Sequence, residues 1–146
     1  MKKSALWYLV AAAVAVGGYF AHTEWQTRLG QQALAATALD FLPLDQALAR
    51  SKTQGKPVLV DFSAIWCPTC RQLHNDVFTD GAVKQAINQG YVLARVDYES
   101  PEAPAFMQRY GVKGFPTLLV LSADGSLLRR VPVLFEPAPF AASLRS

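Results

Sequence analysis

The segment PVLVDFSAIWCPTC, residues 57–70, joins an apolar run to both cysteines of the chain. Residues 57–64 are mostly apolar and contain one acid, Asp61, which is typical of a buried strand. Pro68 follows Cys67, and because proline is favoured at the first position of a helix, the cysteine pair is predicted to open a helix. The cysteines would then lie at the carboxyl end of a strand, where ligands and chemistry collect in open α/β sheets.

Predicted helices and strands alternate along the rest of the chain. Apolar residues at helical spacing alternate with short apolar runs, and glycine or proline stands at most of the boundaries. The predicted order is helix 44–52, strand 57–64, helix 67–74, helix 82–88, strand 91–96, helix 102–110, strand 117–121, strand 127–133 and helix 140–144. Asp124 and Gly125 mark a hairpin turn between the last two strands. This pattern predicts a small α/β domain with a mixed central sheet flanked on both faces by helices.

The N-terminal segment is a candidate membrane anchor. Residues 5–21 carry no charge and follow Lys2 and Lys3, which fits either an uncleaved anchor or a cleaved signal peptide. Tyr19 and Phe20 are bulky where a cleavage site requires small residues, so the sequence favours the anchor. The lysines then stay in the cytoplasm and the rest of the chain lies on the extracytoplasmic side. Secretion to the periplasm after cleavage is the alternative.

Composition and charge divide the chain into three predicted regions. These are a signal-anchor at 1–21, a polar, alanine-rich and partly helical linker at 22–40, and one globular domain at 41–146. The 146 residues, 51% of them hydrophobic, suffice for one domain with a core but not for two of ordinary size. The formal net charge is +3, with the basic excess at the N-terminus. Because the domain lacks a clustered basic face, we expect no nucleic-acid partner.

The two cysteines are predicted to work as a dithiol. Cys67 stands at the start of a helix, where free backbone N–H groups and the positive end of the helix dipole stabilise a thiolate. Cys70, one turn further on, would be shielded yet close enough to attack a mixed disulfide formed at Cys67. One sulfur therefore attacks a substrate disulfide and the other resolves the intermediate.

Other uses of the same residues remain open. A purely structural disulfide is disfavoured because so short a loop constrains the unfolded chain little. Cys67, Cys70 and His74 could form part of a zinc or copper site, although a fourth ligand would require the distant His22. We predict no bound metal, and expect His74 to be a partly exposed helix residue that tunes the thiols. A non-catalytic adaptor that uses the fold to bind a partner is the third alternative.

The sequence resembles the thioredoxin superfamily over residues 44–144. The resemblance rests on four elements in order along the chain, namely VDFSA at 60–64, WCPTC at 66–70, VD at 96–97 and GVKGFPT at 111–117. It implies a thioredoxin-like fold and a thiol-disulfide oxidoreductase that acts on protein thiols and disulfides. It also implies that no cofactor is needed beyond a redox-active disulfide between Cys67 and Cys70.

The resemblance implies a role for each residue of the predicted site. Cys67 matches the nucleophilic cysteine and Cys70 the resolving one, and Asp61 matches the buried acid that relays a proton to and from the inner cysteine. Pro116 matches a proline with a cis peptide bond that faces the dithiol, and Phe115 matches the residue whose backbone pairs with a substrate strand. The residues expected to shape or tune the active-site surface are Trp66, Pro68 and Thr69, and Arg95 falls near a position where some thioredoxins have a lysine.

Three further stretches narrow the resemblance. GKPV at 55–58, NDVFTD at 75–80 and the stretch 130–144 are similar to the C-terminal periplasmic domain of the thiol:disulfide interchange protein DsbD family. That family also has a multi-helix membrane domain that conducts electrons, whereas this sequence contains at most one spanning helix. The similarity implies a reductive role with a membrane or periplasmic redox partner, for instance in cytochrome c maturation. The Pro68-Thr69 pair lacks the histidine of strongly oxidising relatives, which favours the same direction.

Overall fold

A four-stranded mixed sheet in the order β2-β1-β3-β4 organises the domain in this computed structural model. The strands are β1 (Val58–Ser63), β2 (Val92–Asp97), β3 (Thr117–Leu121) and β4 (Leu127–Val131). β1 pairs parallel with β2 and antiparallel with β3, and β3 pairs antiparallel with β4. The structure describes residues 2–145, with side chains from Leu6 onward, so Met1 and the side chains of Lys2 and Lys3 lie outside it.

Helices cover both faces of this sheet, as the sequence predicts. One face packs on α2 (Leu44–Gln54) and α5 (Ala103–Tyr110), and the other on α3 (Pro68–Leu73), α4 (Gly81–Gly90) and α6 (Pro137–Leu144). The apolar residues of each helix that face the sheet are buried, and burial of this kind stabilises a fold by about 25 cal/mol per Å² of apolar surface. The predicted thioredoxin-like α/β architecture is confirmed.

Strand β1 sends alternate side chains to the two faces. Val58, Val60 and Phe62 belong to the core under α2 and α5, whereas Leu59 belongs to the core under α3, α4 and α6. Because side chains alternate along a strand, Asp61 lies on the same face as Leu59. All six residues of β1 are buried, so its one carboxyl group lies inside the domain below the helix that carries the cysteines.

The helix that follows the cysteines is longer than predicted. After α3 the chain continues as a π-helical turn over His74–Phe78, where the sequence suggests a break at 76–80. The helical path ends at Thr79, and the Asp80 carboxylate then accepts hydrogen bonds from the backbone N–H groups of Ala82 and Val83 to begin α4. The apolar Val77 and Phe78 are fully buried in this turn, which explains why the helix continues through the polar stretch.

The N-terminal segment is one continuous helix, α1 (Lys2–Thr37), which runs through both the candidate anchor and most of the segment predicted to be a partly helical linker. It is the one helix among the described residues that is long and apolar enough, by length and composition, to cross a membrane. Its second half packs against α3 and the π-helical turn, where Gly30, Ala33 and Thr37 are buried. These small residues recur every three or four positions, so they form a narrow contact stripe that an apolar-period search does not detect.

Candidate functional site

The two cysteines lie at the N-terminus of α3 and are bonded to each other as a disulfide. Cys67 is the N-cap residue, Pro68 occupies the first helical position, and the Cα atoms of the two cysteines are 5.3 Å apart. The backbone N–H of Cys70 donates a hydrogen bond to Cys67 Sγ at 3.1 Å. A backbone donor aimed at this sulfur, together with the helix dipole, stabilises negative charge on Cys67.

Access to the pair is through a small exposed surface. Cys67 is 4% exposed and Cys70 is 1% exposed, whereas Pro68 and Thr69 between them are exposed. The loop before the helix is fixed by a hydrogen bond from the Cys67 N–H to the Ala64 carbonyl oxygen at 3.1 Å. Cys67 is therefore slightly the more exposed of the two cysteines, and the attacking role of Cys67 and the resolving role of Cys70 stay predictions.

Aromatic rings form one wall of this surface. The Phe115 ring packs against Trp66 with 5.5 Å between centroids and against Tyr98 with 4.9 Å, and it contacts the small cluster that contains both cysteines. The peptide bond between Phe115 and Pro116 is cis, as the resemblance implies. Trp66 is 37% exposed and donates a hydrogen bond from Nε1 to Glu99 Oε1 at 3.1 Å. Phe115 and Trp66 thus meet at the dithiol.

The buried acid Asp61 is part of a hydrogen-bonded network. Its Oδ2 atom accepts a hydrogen bond from Ser63 Oγ at 3.1 Å and lies 2.8 Å from His74 Nε2. Arg95 Nε in turn donates to Ser63 Oγ at 3.1 Å, and an Arg95 guanidinium nitrogen lies 2.5 Å from Asp97 Oδ2. Arg95 therefore connects to the acid through a hydroxyl group rather than by direct contact.

The second carboxylate oxygen of Asp61 accepts no hydrogen bond from the described residues. Asp61 is fully buried, and its Oδ1 atom has no hydrogen-bond partner among the described residues. Burying a polar atom without a partner costs stability, so such an atom in a native fold calls for a specific reason. A group that must accept a proton during a reaction needs a free lone pair, and Asp61 Oδ1 offers one inside the domain.

His74 differs from the expectation of a partly exposed residue, since it is only 3% exposed. It lies one turn beyond Cys70, where the helix face turns toward Asp61. Its ring packs against the rings of Phe41 and Phe78, with centroid distances of 6.0 and 5.5 Å. The sequence does not reveal this burial because the covering segment, the end of α1 and the chain up to Phe41, reads as a linker. His74 thus contacts the buried acid rather than solvent.

A groove lies between α1 and the dithiol loop, which is residues 64–70 between the end of β1 and the second cysteine. The sequence did not reveal this groove. It has a volume of about 490 Å³ and is lined by Tyr19, His22, Thr23, Gln26, Thr27, Trp66, Pro68 and Glu99. Two contacts hold its walls together. Arg71 donates to Gln26 Oε1 at 2.7 Å, and Gly30 lies so close to the Ile65 carbonyl oxygen that a Cβ atom at position 30 would overlap it. The glycine within an alanine-rich helical stretch was the one sequence signal for this close approach.

Metal ligands do not converge in the described part of the chain. Among residues 6–145, no group of three or more histidine, cysteine, aspartate or glutamate side chains is arranged to hold a metal ion. Of the residues considered for such a site, His74 instead has its Nε2 atom beside Asp61.

Comparison with known proteins finds relatives of the globular domain. A family model described as a thioredoxin-like domain matches residues 44–146. The thiol:disulfide interchange protein DsbD of Klebsiella pneumoniae subsp. pneumoniae is 40% identical over 106 residues, which is 70% of this chain and 17% of that protein. The DsbD of Ralstonia nicotianae is 33% identical over 104 residues, with 70% and 17% covered. The chain thus spans less than a fifth of the length of these curated relatives.

Solved structures agree on the fold. A thioredoxin from Thermus thermophilus superposes with a TM-score of 0.64 at 30% identity, covering 74% of this chain and 85% of that one. The reduced C-terminal domain of Neisseria meningitidis DsbD superposes with a TM-score of 0.60 at 25% identity, covering 70% of this chain and 91% of that one. The range that the family model matches, residues 44–146, contains the dithiol, the buried acid and the segment with the cis peptide bond.

Proposed function

Because this chain belongs to the thioredoxin-like domain family, we propose that it is a thiol-disulfide oxidoreductase that exchanges disulfides with proteins through Cys67 and Cys70. The single observation that carries the proposal is the disulfide at the N-terminus of α3, with the Cys70 N–H directed at Cys67 Sγ. That geometry favours Cys67 as leaving group when the disulfide is reduced and as nucleophile when it is free. The surrounding Trp66 and Phe115 rings supply an apolar surface for a substrate chain.

The proposed reaction moves two electrons from the dithiol to the substrate. Cys67 thiolate attacks a substrate disulfide, so a bond forms between Cys67 Sγ and one substrate sulfur while the other substrate sulfur leaves and takes a proton. Cys70 then loses its proton and attacks Cys67 Sγ, which forms the Cys67–Cys70 disulfide and releases the second substrate thiol. The substrate disulfide is reduced and the dithiol is oxidised.

We propose Asp61 as the group that accepts the Cys70 proton in the second step. Its buried position below α3 and the unpartnered Oδ1 atom support this role. General bases of this kind typically accelerate a proton transfer by about 100-fold or more. The other oxygen, Oδ2, is held by Ser63 and His74, so the carboxylate keeps a fixed orientation throughout the exchange.

The proposed direction in the cell is reductive, and the proposed location is the extracytoplasmic side of a membrane. The exposed apolar half of α1 would serve as a single-pass anchor, and the similarity to DsbD domains supports a compartment in which thiols must be actively reduced. A protein dithiol from a membrane or periplasmic partner would have to reduce Cys67–Cys70 after each turnover. Repair of wrong disulfides and delivery of thiols for cytochrome c maturation are the proposed uses.

Trapping of a mixed disulfide tests the function. In Cys70→Ala the resolving sulfur is absent, so the Cys67-linked substrate should accumulate, whereas Cys67→Ala should trap nothing. Both variants should lose insulin reduction, which the unaltered chain should catalyse. If neither variant traps a partner and the unaltered chain does not reduce insulin, the proposed function is wrong.

The reduction potential tests the direction separately. A value near that of thioredoxin, about −270 mV, supports a reductase, while a value near that of DsbA, about −120 mV, supports an oxidase. The measurement is made by equilibration of the Cys67–Cys70 pair with glutathione, together with the redox state of the protein in the cell.

A further inference from the structure

We infer that the groove between α1 and the dithiol loop is a second substrate subsite, which favours polypeptides with a lysine or arginine next to the cysteine that Cys67 attacks. The inference rests on the proposed function and names the substrate class of the same site. Most of the residues that line the groove belong to α1, which precedes the thioredoxin-like domain, so this subsite does not follow from the family resemblance.

The groove continues the proposed substrate surface on its α1 side. Pro68, which follows Cys67 directly and is exposed, lines the groove together with Trp66. The Trp66 ring also packs against Phe115, so it belongs to both surfaces. A polypeptide that is bonded to Cys67 through its own cysteine can therefore place one flank against Phe115 and the other flank in the groove.

The walls of the groove are fixed by contacts within the chain. On the α1 side, Gln26 accepts a hydrogen bond from Arg71 at 2.7 Å, and Gly30, one turn further along, lies against the backbone of the dithiol loop. On the domain side, Glu99 Oε1 accepts the N–H of Trp66 at 3.1 Å. The volume of about 490 Å³ is typical of a ligand site, and fixed walls reduce the entropy that binding costs.

The charge of the groove indicates which flank it favours. Glu99 is the one carboxylate in the lining, and among the described residues the lining contains neither lysine nor arginine. The neighbouring Asp97 is paired with Arg95, whereas Glu99 is exposed and has no ion-pair partner in the described part of the chain. A basic side chain complements this carboxylate, and an acidic one is repelled by it.

The test uses a peptide whose single cysteine is bonded as a disulfide to a chromogenic aromatic thiol. Cys67 thiolate attacks the peptide sulfur, because the aromatic thiolate is the better leaving group, and the released thiolate is followed by absorbance. Cys70 then attacks Cys67 Sγ and releases the peptide thiol, so the peptide disulfide is reduced and the dithiol is oxidised. Two versions of the peptide carry lysine or glutamate on both sides of the cysteine and are otherwise identical.

The reduced full chain in detergent should react about fivefold faster with the lysine peptide than with the glutamate peptide at low salt. The preference should shrink in about 1 M salt, because exposed charges are screened there. Glu99→Gln keeps an acceptor for the Trp66 N–H but removes the charge, so the two rates should become equal. Glu99→Lys should reverse the preference.

Two matched controls make the result specific. Asp124→Asn also removes one negative charge, at the exposed hairpin turn beyond the end of β3 that lies away from Pro116, and it should keep the parental preference. Thr23→Trp fills the groove from the α1 side, so it should abolish the preference. Ala21→Trp places the same side chain at an exposed position of α1 outside the lining and should preserve it.

The outcomes separate the two proposals. Equal rates with the two peptides in the parent, or a preference that persists in Glu99→Gln or in Thr23→Trp, would overturn the inference while the proposed function stands. If the parent reduces neither the peptides nor insulin, the proposed function itself is wrong. A lysine preference that Glu99→Gln removes, Glu99→Lys reverses and Asp124→Asn leaves intact supports the inference.

Discussion

His74 Nε2 lies 2.8 Å from Asp61 Oδ2, and both side chains are buried below the helix that carries the dithiol. The imidazole therefore contacts the acid that is proposed to accept the Cys70 proton. The other polar group on the same oxygen is Ser63, which links it to the Arg95 guanidinium. His74 and Ser63 therefore both contact Asp61 Oδ2, whereas Asp61 Oδ1 has no hydrogen-bond partner among the described residues.

Replacement of His74 should slow the second chemical step. His74→Phe removes the hydrogen-bonding group beside Asp61 Oδ2, so resolution of the mixed disulfide should become slower and the free energy of unfolding should fall by about 1–3 kcal/mol. His74→Gln keeps a hydrogen-bond donor and should retain more of both. Rapid-quench kinetics measures the resolution rate, and chemical denaturation measures the stability. His22→Gln, at the exposed histidine, is the matched control, and a parental resolution rate in His74→Phe would contradict the role.

Replacement of Asp61 should separate the two steps of the exchange. Asp61→Asn removes the proton acceptor with little change in shape, so resolution by Cys70 should slow about 100-fold while the attack by Cys67 keeps its rate. The mixed disulfide should then accumulate in stopped reactions. Asp76→Asn, at an exposed acid in the turn after α3, is the control. Equal slowing of both steps would point to a structural role for the acid instead.

Replacement of Gly30 should loosen α1 from the domain. A Cβ atom there would overlap the Ile65 carbonyl oxygen, a backbone atom that cannot turn away, so Gly30→Ala should cost about 1–3 kcal/mol of docking free energy. Hydrogen exchange of the amides at 26–37 should become faster. Gly17→Ala is the matched control because a Cβ atom added at position 17 would meet no atom within 4 Å outside its own stretch of helix. Alanine there should leave exchange at 26–37 unchanged.

Loss of the Phe115 ring should weaken substrate use. The ring packs against Trp66 and Tyr98 beside the dithiol, where a substrate chain is proposed to bind, and one aromatic contact with that chain would contribute about 0.5–1.5 kcal/mol. Phe115→Ala should therefore lower kcat/KM for insulin about tenfold, since 1.4 kcal/mol is a factor of ten. Phe135→Ala, at an exposed aromatic residue, should leave kcat/KM within twofold of the parent. An unchanged kcat/KM in Phe115→Ala would remove this ring from the substrate surface.

The hairpin turn should titrate at unusually low pH. The Ser122 hydroxyl, and next the Ser126 groups, donate hydrogen bonds to the Asp124 carboxylate and lower its pKa from 3.8 to about 2. Because the pKa is lowered in the folded state, the stabilisation is present above pH 3.8 and is lost as the pH falls through about 2. A carbon-detected NMR titration measures the midpoint. Ser122→Ala should raise the pKa toward 3.8, and an unshifted midpoint would show that Ser122 is not the main cause.

The sheet and the dithiol were predictable from local patterns. The apolar strand before Cys67, the proline after it and the Asp124-Gly125 turn each express a rule that acts within a few residues, and the structure has an element at each place. The apolar run around Asp61 also predicted that this acid lies in a buried strand, whereas its role and that of Phe115 were implied only by the family resemblance.

The environment of His74 and the docking of α1 were not predictable in this way. Both depend on contacts between segments more than thirty residues apart, such as Gln26 with Arg71 and Gly30 with Ile65. The stripe on α1 consists of small residues. They stabilise the contact because they let the helix lie close to the domain, and not because they bury a large apolar area. A hydropathy pattern detects large apolar side chains. It therefore detects the first half of this helix and does not detect the contact made by the second half.

The buried stripe of α1 also determines where the chain can be shortened. The sequence places the first residue of the domain at Phe41. A water-soluble version that starts there would lack the end of α1, which packs against the π-helical turn that contains His74. A version that starts near His22 would keep Gly30, Ala33 and Thr37 in place and discard only the apolar half of the helix. For protein production and crystallisation, the useful boundary therefore lies inside a helix, about two turns before its contact with the dithiol loop.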